Sequence, residues 1–297
     1  MAGVVATLGT ACVAYATVVE RGWFRLRRER LPGLLRSGAP RALRLLVVSD
    51  LHLDPPDPRL EAFVRELPTA EVDLIVAAGD LVGGRGAEDA TVGLLATLTT
   101  GGTPAVAVLG SNDLYAPRPK NPLRYLTHPD VRTYGPPLDT AGLCAGLRAA
   151  GWCVLEDART TVQTAAGTVE VAGLRDPHLR SPLPPRDQVA ARDPTSVLRL
   201  GVVHAPYVDA LDLLAAAGYD LLVAGHTHGG QVRLPGVGAL VTNCDLPTDR
   251  ARGTSRWHAD DRGAWLHVSA GLGQSRYAPF RFACRPEASL LELSLPA

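Results

Sequence analysis

Lysine is nearly missing from this chain. Lys120 is the only one, and arginine carries the positive charge, a skew that points to coding bias and not to function. An excess of either sign is missing too. The 30 Lys and Arg residues balance 30 Asp and Glu, which excludes a broadly basic surface for nucleic acid. No C-x-x-C spacing occurs. The five cysteines, Cys12, Cys144, Cys153, Cys244 and Cys284, are scattered and odd in number, so neither a disulfide framework nor a structural zinc site organises the chain. They are expected as buried free thiols. Internal repeats and low-complexity tracts are also absent. The 297 residues therefore suffice for one large α/β domain, or two small ones, around a sizeable core.

An uncharged run, residues 2–19, precedes Glu20 and the cluster Arg21, Arg25, Arg27, Arg28 and Arg30. Its length sits at the lower end for a membrane span. A cleaved signal peptide lacks support, because nothing charged follows Met1 except the terminal amine. The reading adopted is a single membrane anchor over residues 1–20, with Trp23 and Phe24 at the interface. A basic juxtamembrane linker then spans residues 21–41, and the positive-inside tendency puts the following domain, residues 42–297, on the cytoplasmic face of the cell membrane. A chain beginning after residue 30 is accordingly expected to stay catalytically intact.

Beyond the linker, apolar runs end repeatedly in polar residues. Residues 43–48 read as a buried strand and stop at Ser49-Asp50-Leu51-His52. If the segment stays extended, Asp50 and His52 share one side. Residues 72–78 form a second such strand, ending in Gly79-Asp80, and residues 105–109 a third, ending in Gly110-Ser111-Asn112-Asp113. Residues 59–67 and 91–98 have helical periodicity. Strands alternating with helices imply parallel pairing, and such folds place ligands at the carboxyl ends of their strands. Residues 116–147, rich in Pro, Arg and Tyr, read as a functional loop or small cap. Shorter strands are expected at 160–163 and 168–173, with a turn at Ala166-Gly167. A proline-rich loop covers residues 181–194, and a strand at 197–203 leads to His204. A helix at 208–217 follows, and strand-like pieces lie at 265–269 and 290–295.

The remaining tip is Gly225-His226-Thr227-His228-Gly229-Gly230, after the apolar residues 221–224. Glycines let a tight turn take positive φ, and imidazole is a common metal ligand near neutral pH. Five strand ends thus deliver Asp50 and His52, Asp80, Ser111 or Asn112, His204, and His226 with His228. A mixed nitrogen and oxygen set suits Zn, Mn, Fe or Co, not an all-oxygen calcium cage. The donors suffice for two divalent ions, with one carboxylate shared. Two ions so placed suit in-line displacement at phosphorus.

In this order, the motifs Asp50-Leu51-His52, Gly79-Asp80, Gly110-Ser111-Asn112-Asp113, His204 and Gly225-His226-Thr227-His228 resemble the calcineurin-like metallophosphoesterases. The resemblance runs from about residue 43 to the C-terminus. Gly229-Gly230-Gln231-Val232-Arg233-Leu234-Pro235 is similar to the bacterial membrane-associated phosphodiesterase branch, some of whose members act on lipid-linked substrates. It implies an α/β sandwich of two mixed sheets flanked by helices, here preceded by the N-terminal hydrophobic helix. One ion would be held by Asp50, His52, Asp80 and His228. The other would be held by Asp80, the Ser111/Asn112 tip, His204 and His226, with Asp80 bridging. The activity implied is cleavage of a phosphodiester or pyrophosphate by a metal-bound hydroxide, with Asp50, Asp80, Asn112, Asp113 and His204 as the catalytic group. A metal-binding member without catalysis and a soluble phosphomonoesterase are the alternatives.

The third motif departs from the family's Gly-Asn-His-Asp. Either Ser111 is the oxygen ligand or the amide of Asn112 reaches the metal. In both cases the usual proton-donating histidine is missing, while Asp113 stays available as a supporting partner. His128, His178, His258 and His267 carry no motif and read as surface or core residues. Arg233 is ambiguous between phosphate contact and an exposed strand. Arg118, Lys120 and Arg124 read as a solvated loop face that an anionic substrate group could meet.

Overall fold

Apolar runs such as Leu43–Val48 need cover on both faces, and two stacked sheets with outer helices supply it. The structure, a computed structural model, describes residues 9–54, 56–119, 134–259 and 261–296. The first sheet has the order β1 (Arg25–Leu31), β14 (Glu287–Leu293), β2 (Leu43–Val48), β3 (Leu74–Ala78), β4 (Ala105–Val108), β5 (Trp152–Val154). Its β2 to β5 are parallel, while β14 runs antiparallel to β2 and parallel to β1. The second sheet has the order β12 (Gly253–Ala259), β13 (Arg262–Val268), β9 (Leu221–Ala224), β8 (Leu198–Val202), β7 (Gly167–Gly173), β6 (Ala158–Thr164). A small hairpin, β10 (Arg233–Leu234) with β11 (Gly238–Ala239), stands apart.

The inner faces meet through Leu45, Val47, Val76 and Val106 from the first sheet and Val171, Leu200, Val202 and Val223 from the second. Each side chain buried this way contributes about 1.5–3 kcal/mol. The outer face of the first sheet is covered by α1 (Pro58–Arg65), α2 (Glu88–Thr99) and α4 (Thr140–Ala149). A single turn, α3 (Ser111–Leu114), follows β4. Helices α5 (Arg186–Val189) and α6 (Val208–Ala216) lie on the second sheet. The crossovers β2–α1–β3 and β3–α2–β4 keep the carboxyl ends of the parallel strands together, as βαβ units do.

Several expectations fail. Residues 25–31, read as linker, form edge strand β1, because Arg25 and Arg27 reach the buried carboxylate of Glu287 and Glu29 pairs with Arg27. Within residues 116–147, α4 appears, capped by Asp139 on Gly142 N and burying Leu143, Cys144 and Leu147. Strand β12 was not anticipated at all. Of the N-terminal run, residues 9–14 are α-helical and pass into a wider π-type turn at Tyr15–Val19 and a 3-10 turn at Glu20–Gly22. Among the described residues no helix is long and apolar enough to cross a membrane; residues 1–8 lie outside them, as do Lys120, Arg124 and His128. All five cysteines are free, and Cys12 is exposed, contrary to expectation.

Candidate metal centre

The carboxyl ends of β2, β3, β4, β8 and β9 meet at one end of the sandwich. Asp50 and His52 are not extended as the two-residue spacing suggested. Both take positive φ, at 48° and 42°, and so do Asp80, His226 and His228, at 52°, 69° and 49°. Left-handed backbone at five side-chain-bearing residues is costly and persists where the surroundings impose it. Asp50 N donates to Gly79 O at 2.8 Å, and His52 N to Asp80 O at 3.0 Å. His226 N donates to the Asp50 carboxylate at 3.0 and 3.1 Å, tying the two sheets together. At Gly110 any Cβ would lie 2.2 Å from Asp80 Oδ1, and at Gly225 2.6 Å from Asp50 Oδ2. Only glycine permits these approaches.

Two groups of buried donors result: Asp50 with His52 and His228, and Asp50 with Asp80 and His204. Asp80 Oδ2 lies 3.5 Å from His52 Nε2 and 3.3 Å from His204 Nε2. Asn112 meets the same oxygen through its amide at 2.7 Å, while its backbone N–H donates to Asp80 Oδ1 at 2.8 Å. The two ends of that amide are exchangeable by rotation. Asn112, not Ser111, is therefore the third-motif side chain that faces the carboxylates.

The ring nitrogens are sorted by their outer partners. His204 Nδ1 lies 2.8 Å from Ala78 O, so it carries a proton, and the buried Nε2 faces Asp80 Oδ2 at 3.3 Å. His228 Nδ1 likewise meets Gly273 O at 3.2 Å. The Nε2 atoms of His52 and His228 face each other at 3.3 Å. Three buried ring nitrogens that converge on two carboxylates fit a cation, and backbone carbonyls fix the rings of His204 and His228 for it. Burial opposes protonation of His204, but Asp80, Asp176 and Asp50 outweigh it and hold that imidazole well above its usual range, so the buried carboxylates draw positive charge. Burial and the nearby Asp80 push Asp50 up to about 7. Burial opposes ionisation of Asp80 as well, but His204 and His52 outweigh it and hold that carboxyl well below its usual range. Burial, His52 and Arg281 push His228 down, keeping it neutral as a ligand must be.

Some expected members stand elsewhere. His226 turns Nε2 toward Asn243 O at 3.3 Å and joins neither donor group; its ring lies 5.2 Å from that of His204. Asp113 accepts from Leu81 N, Val82 N and Gly110 N at 2.7, 2.9 and 2.9 Å. Its carboxylate is consumed in holding the loops. Arg233 donates to Gly229 O at 3.0 Å and so braces the histidine turn.

Two residues were missed. His178, dismissed for want of a motif, is buried with its ring 4.6 Å from that of His226, and Tyr207 Oη meets its Nδ1 at 3.2 Å. Arg281 is fully buried and donates to Ala270 O, Gly271 O and Gly273 O at 2.9, 3.1 and 2.6 Å, behind His228. Neither has a spacing signal, since each arrives on a different loop. A cavity of about 600 Å³ opens over the donors, with Tyr115, Tyr134, His178, Tyr277 and Phe280 in its walls.

Residues 43–230 match the family model described as calcineurin-like phosphoesterase. The chain is 27% identical over 300 residues to phosphodiesterase YaeI of Escherichia coli (strain K12), covering 97% of this chain and 95% of that protein. It is 29% identical over 150 residues to the uncharacterized metallophosphoesterase YkuE of Bacillus subtilis (strain 168), covering 50% of this chain and about half, 48%, of the relative. Among solved structures, phosphopantetheinyl hydrolase from Mycobacterium tuberculosis aligns over 81% of this chain and 95% of that one, at 15% identity and a TM-score of 0.43. With the matched segment spanning the strand ends that gather Asp50, Asp80, His204 and His228, the chain belongs to the calcineurin-like phosphoesterase family.

Proposed function

We propose that this metal-dependent phosphoester hydrolase uses two divalent ions to cleave a phosphodiester or a pyrophosphate. The observation that carries the reading is Asp80 Oδ2, set between His52 Nε2 and His204 Nε2. A shared carboxylate there suits two ions, one with Asp50, His52 and His228, the other with His204 and Asn112. His226 joins the second only if its ring leaves Asn243 O. Divalent ions, when bound, polarise phosphoryl oxygens and make water a nucleophile near neutral pH.

The chain's own groups hold and orient. Ala78 O and Gly273 O fix the rings of His204 and His228. Asp113 pins the β3 and β4 tips so that Asp80 and Asn112 keep their contact. No histidine occupies the third-motif position, so substrates with stable leaving groups are favoured. The name of the E. coli relative supports a diester over a monoester.

Membrane attachment is the second element of the proposal. It now rests on the first nineteen residues, since Glu20 and β1 belong to the domain. Exposed Val13, Val18, Val19 and Trp23 support it, as does the arginine cluster for a cytoplasmic orientation. A lipid-linked substrate would follow from such a position.

The test is elemental analysis of the purified full chain, with an activity screen over monoesters, diesters and pyrophosphates. Two metal equivalents with turnover of diesters or pyrophosphates is the expected result. Metal without turnover would establish the non-catalytic alternative.

A further inference from the structure

A second cavity, of about 610 Å³, adjoins the catalytic one, and the two share His52 and Ser275 in their walls. It lies between the N-terminal segment and the start of α1, and nothing in the proposed hydrolysis uses it. Three arginines line it: Arg21, Arg59 and Arg276. The carboxylates present are already engaged. Asp54 holds Arg276 at 2.9 Å, and Asp57 caps α1 by accepting from Leu60 N at 3.1 Å. Among the described residues Arg21 and Arg59 pair with no carboxylate. Gln274 lines the same space, and its Oε1 is buried without a partner; a turned amide presents donors instead.

We propose that this cavity is a second anion subsite, which takes a phosphate group of the ligand whose scissile phosphorus lies over Asp80. Two guanidinium groups without an acidic partner suit the planar, bidentate recognition of phosphate. The shared wall at His52 and Ser275 makes one ligand able to occupy both spaces. The substrate class so defined carries two separated phosphates. The second one belongs either to a soluble molecule or to an anionic lipid headgroup beside the N-terminal segment. The inference rests on the phosphoester reading for the identity of the first phosphate.

The test uses the full chain stripped of metal, so that binding is read without turnover. Inorganic phosphate and pyrophosphate are titrated by calorimetry into wild type, Arg21→Ala, Arg59→Ala, the double variant and the control Arg148→Ala. Saturable binding is expected in wild type and in the control. Each single variant weakens it about 10-fold, and the double variant about 100-fold, as loss of charge-assisted hydrogen bonds dictates. Equal affinity in the double variant, or no saturable binding by wild type, overturns the subsite. Co-sedimentation with phosphatidylcholine vesicles containing phosphatidic acid separates the sources. Pelleting that depends on Arg59 assigns a headgroup, and phosphate binding without pelleting assigns a soluble ligand. Arginine-dependent phosphate binding in a chain that turns over no phosphoester would sink the hydrolase reading and leave the subsite standing.

Discussion

Glu20 accepts the backbone N–H of Cys284 at 2.6 Å, and its second carboxylate oxygen accepts that of Ala283 at 2.8 Å. The segment it fixes contains Arg281, whose guanidinium lies 3.4 Å from His228 Nδ1. A residue at the end of the uncharged run thus supports the metal centre through the backbone.

Glu20→Ala should therefore destabilise the protein by about 1–3 kcal/mol, the cost of orphaning the buried Cys284 N–H and losing the bond to the more exposed one of Ala283. Removing residues 1–30 goes further, since it also takes away nearly all of β1, and should yield insoluble or inactive protein. This reverses the expectation that such a chain keeps its catalysis. Urea unfolding of the point variant and gel filtration of the truncated chain are the checks. A truncated chain with full turnover would show that neither Glu20 nor β1 matters.

Asp80→Ala should lose metal and activity together, with turnover reduced on the order of 10³-fold. Chelation should lower the melting temperature of wild type, because a ligand bound to the native state stabilises it, and leave that of Asp80→Ala unmoved. Two metal equivalents in the variant, measured by elemental analysis, would remove the shared-ligand assignment.

Asn112→His distinguishes ligand from acid. Because the Asn112 amide lies on Asp80 Oδ2, the substitution should lower metal content and slow aryl and alkyl esters alike, by at least about tenfold. Rates plotted against leaving-group pKa should then keep their slope. A selective gain for poor leaving groups at full metal content would instead make Ser111 the ligand.

His267, fully buried between the sheets, gives a pH signature. Burial pushes it down to about 4, against the pull of Glu29 and Glu287 and with the help of Arg27. An unfolded histidine titrates near 6.5, so between those values the unfolded chain binds the extra proton. The stability due to neutral His267 is complete above 6.5 and is lost as pH falls through 4, amounting to roughly 3 kcal/mol. Melting temperatures measured from pH 7 to 4 should fall less steeply in His267→Gln than in wild type. Parallel profiles would mean that the imidazole is protonated in the fold.

The strand tips were legible because each couples two local signals, an apolar run and a polar stop. They locate Asp50, Asp80, His204 and His228 without knowledge of the sheet order. Strand β1 was hidden by its alternation of arginine with other residues, which looks solvated until Glu287 of β14 is placed beside it. Helix α4 was hidden by Gly142 and Gly146, poor helix formers. Gly146 is there for packing, since a Cβ would come within 2.8 Å of Val92 on α2. His178 and Arg281 reach the centre only through tertiary folding. The positive φ of Asp50 and His52 is also a product of their surroundings, and it replaced the extended geometry that their spacing suggested.

Strand β14 also governs when the protein becomes itself. It lies between β1 and β2, and its register pairs Arg25 with Glu287, 262 positions apart. Strands β2 to β5 assemble from neighbours in the chain, but β1 has no partner until residues 287–293 have left the ribosome. The loop closure is among the longest that the chain allows, and such pairings form slowly. Until then β2 presents an open edge to other nascent chains. Synthesis that stalls shortly before Glu287 should therefore leave an aggregation-prone product, even though every proposed metal ligand has already been translated.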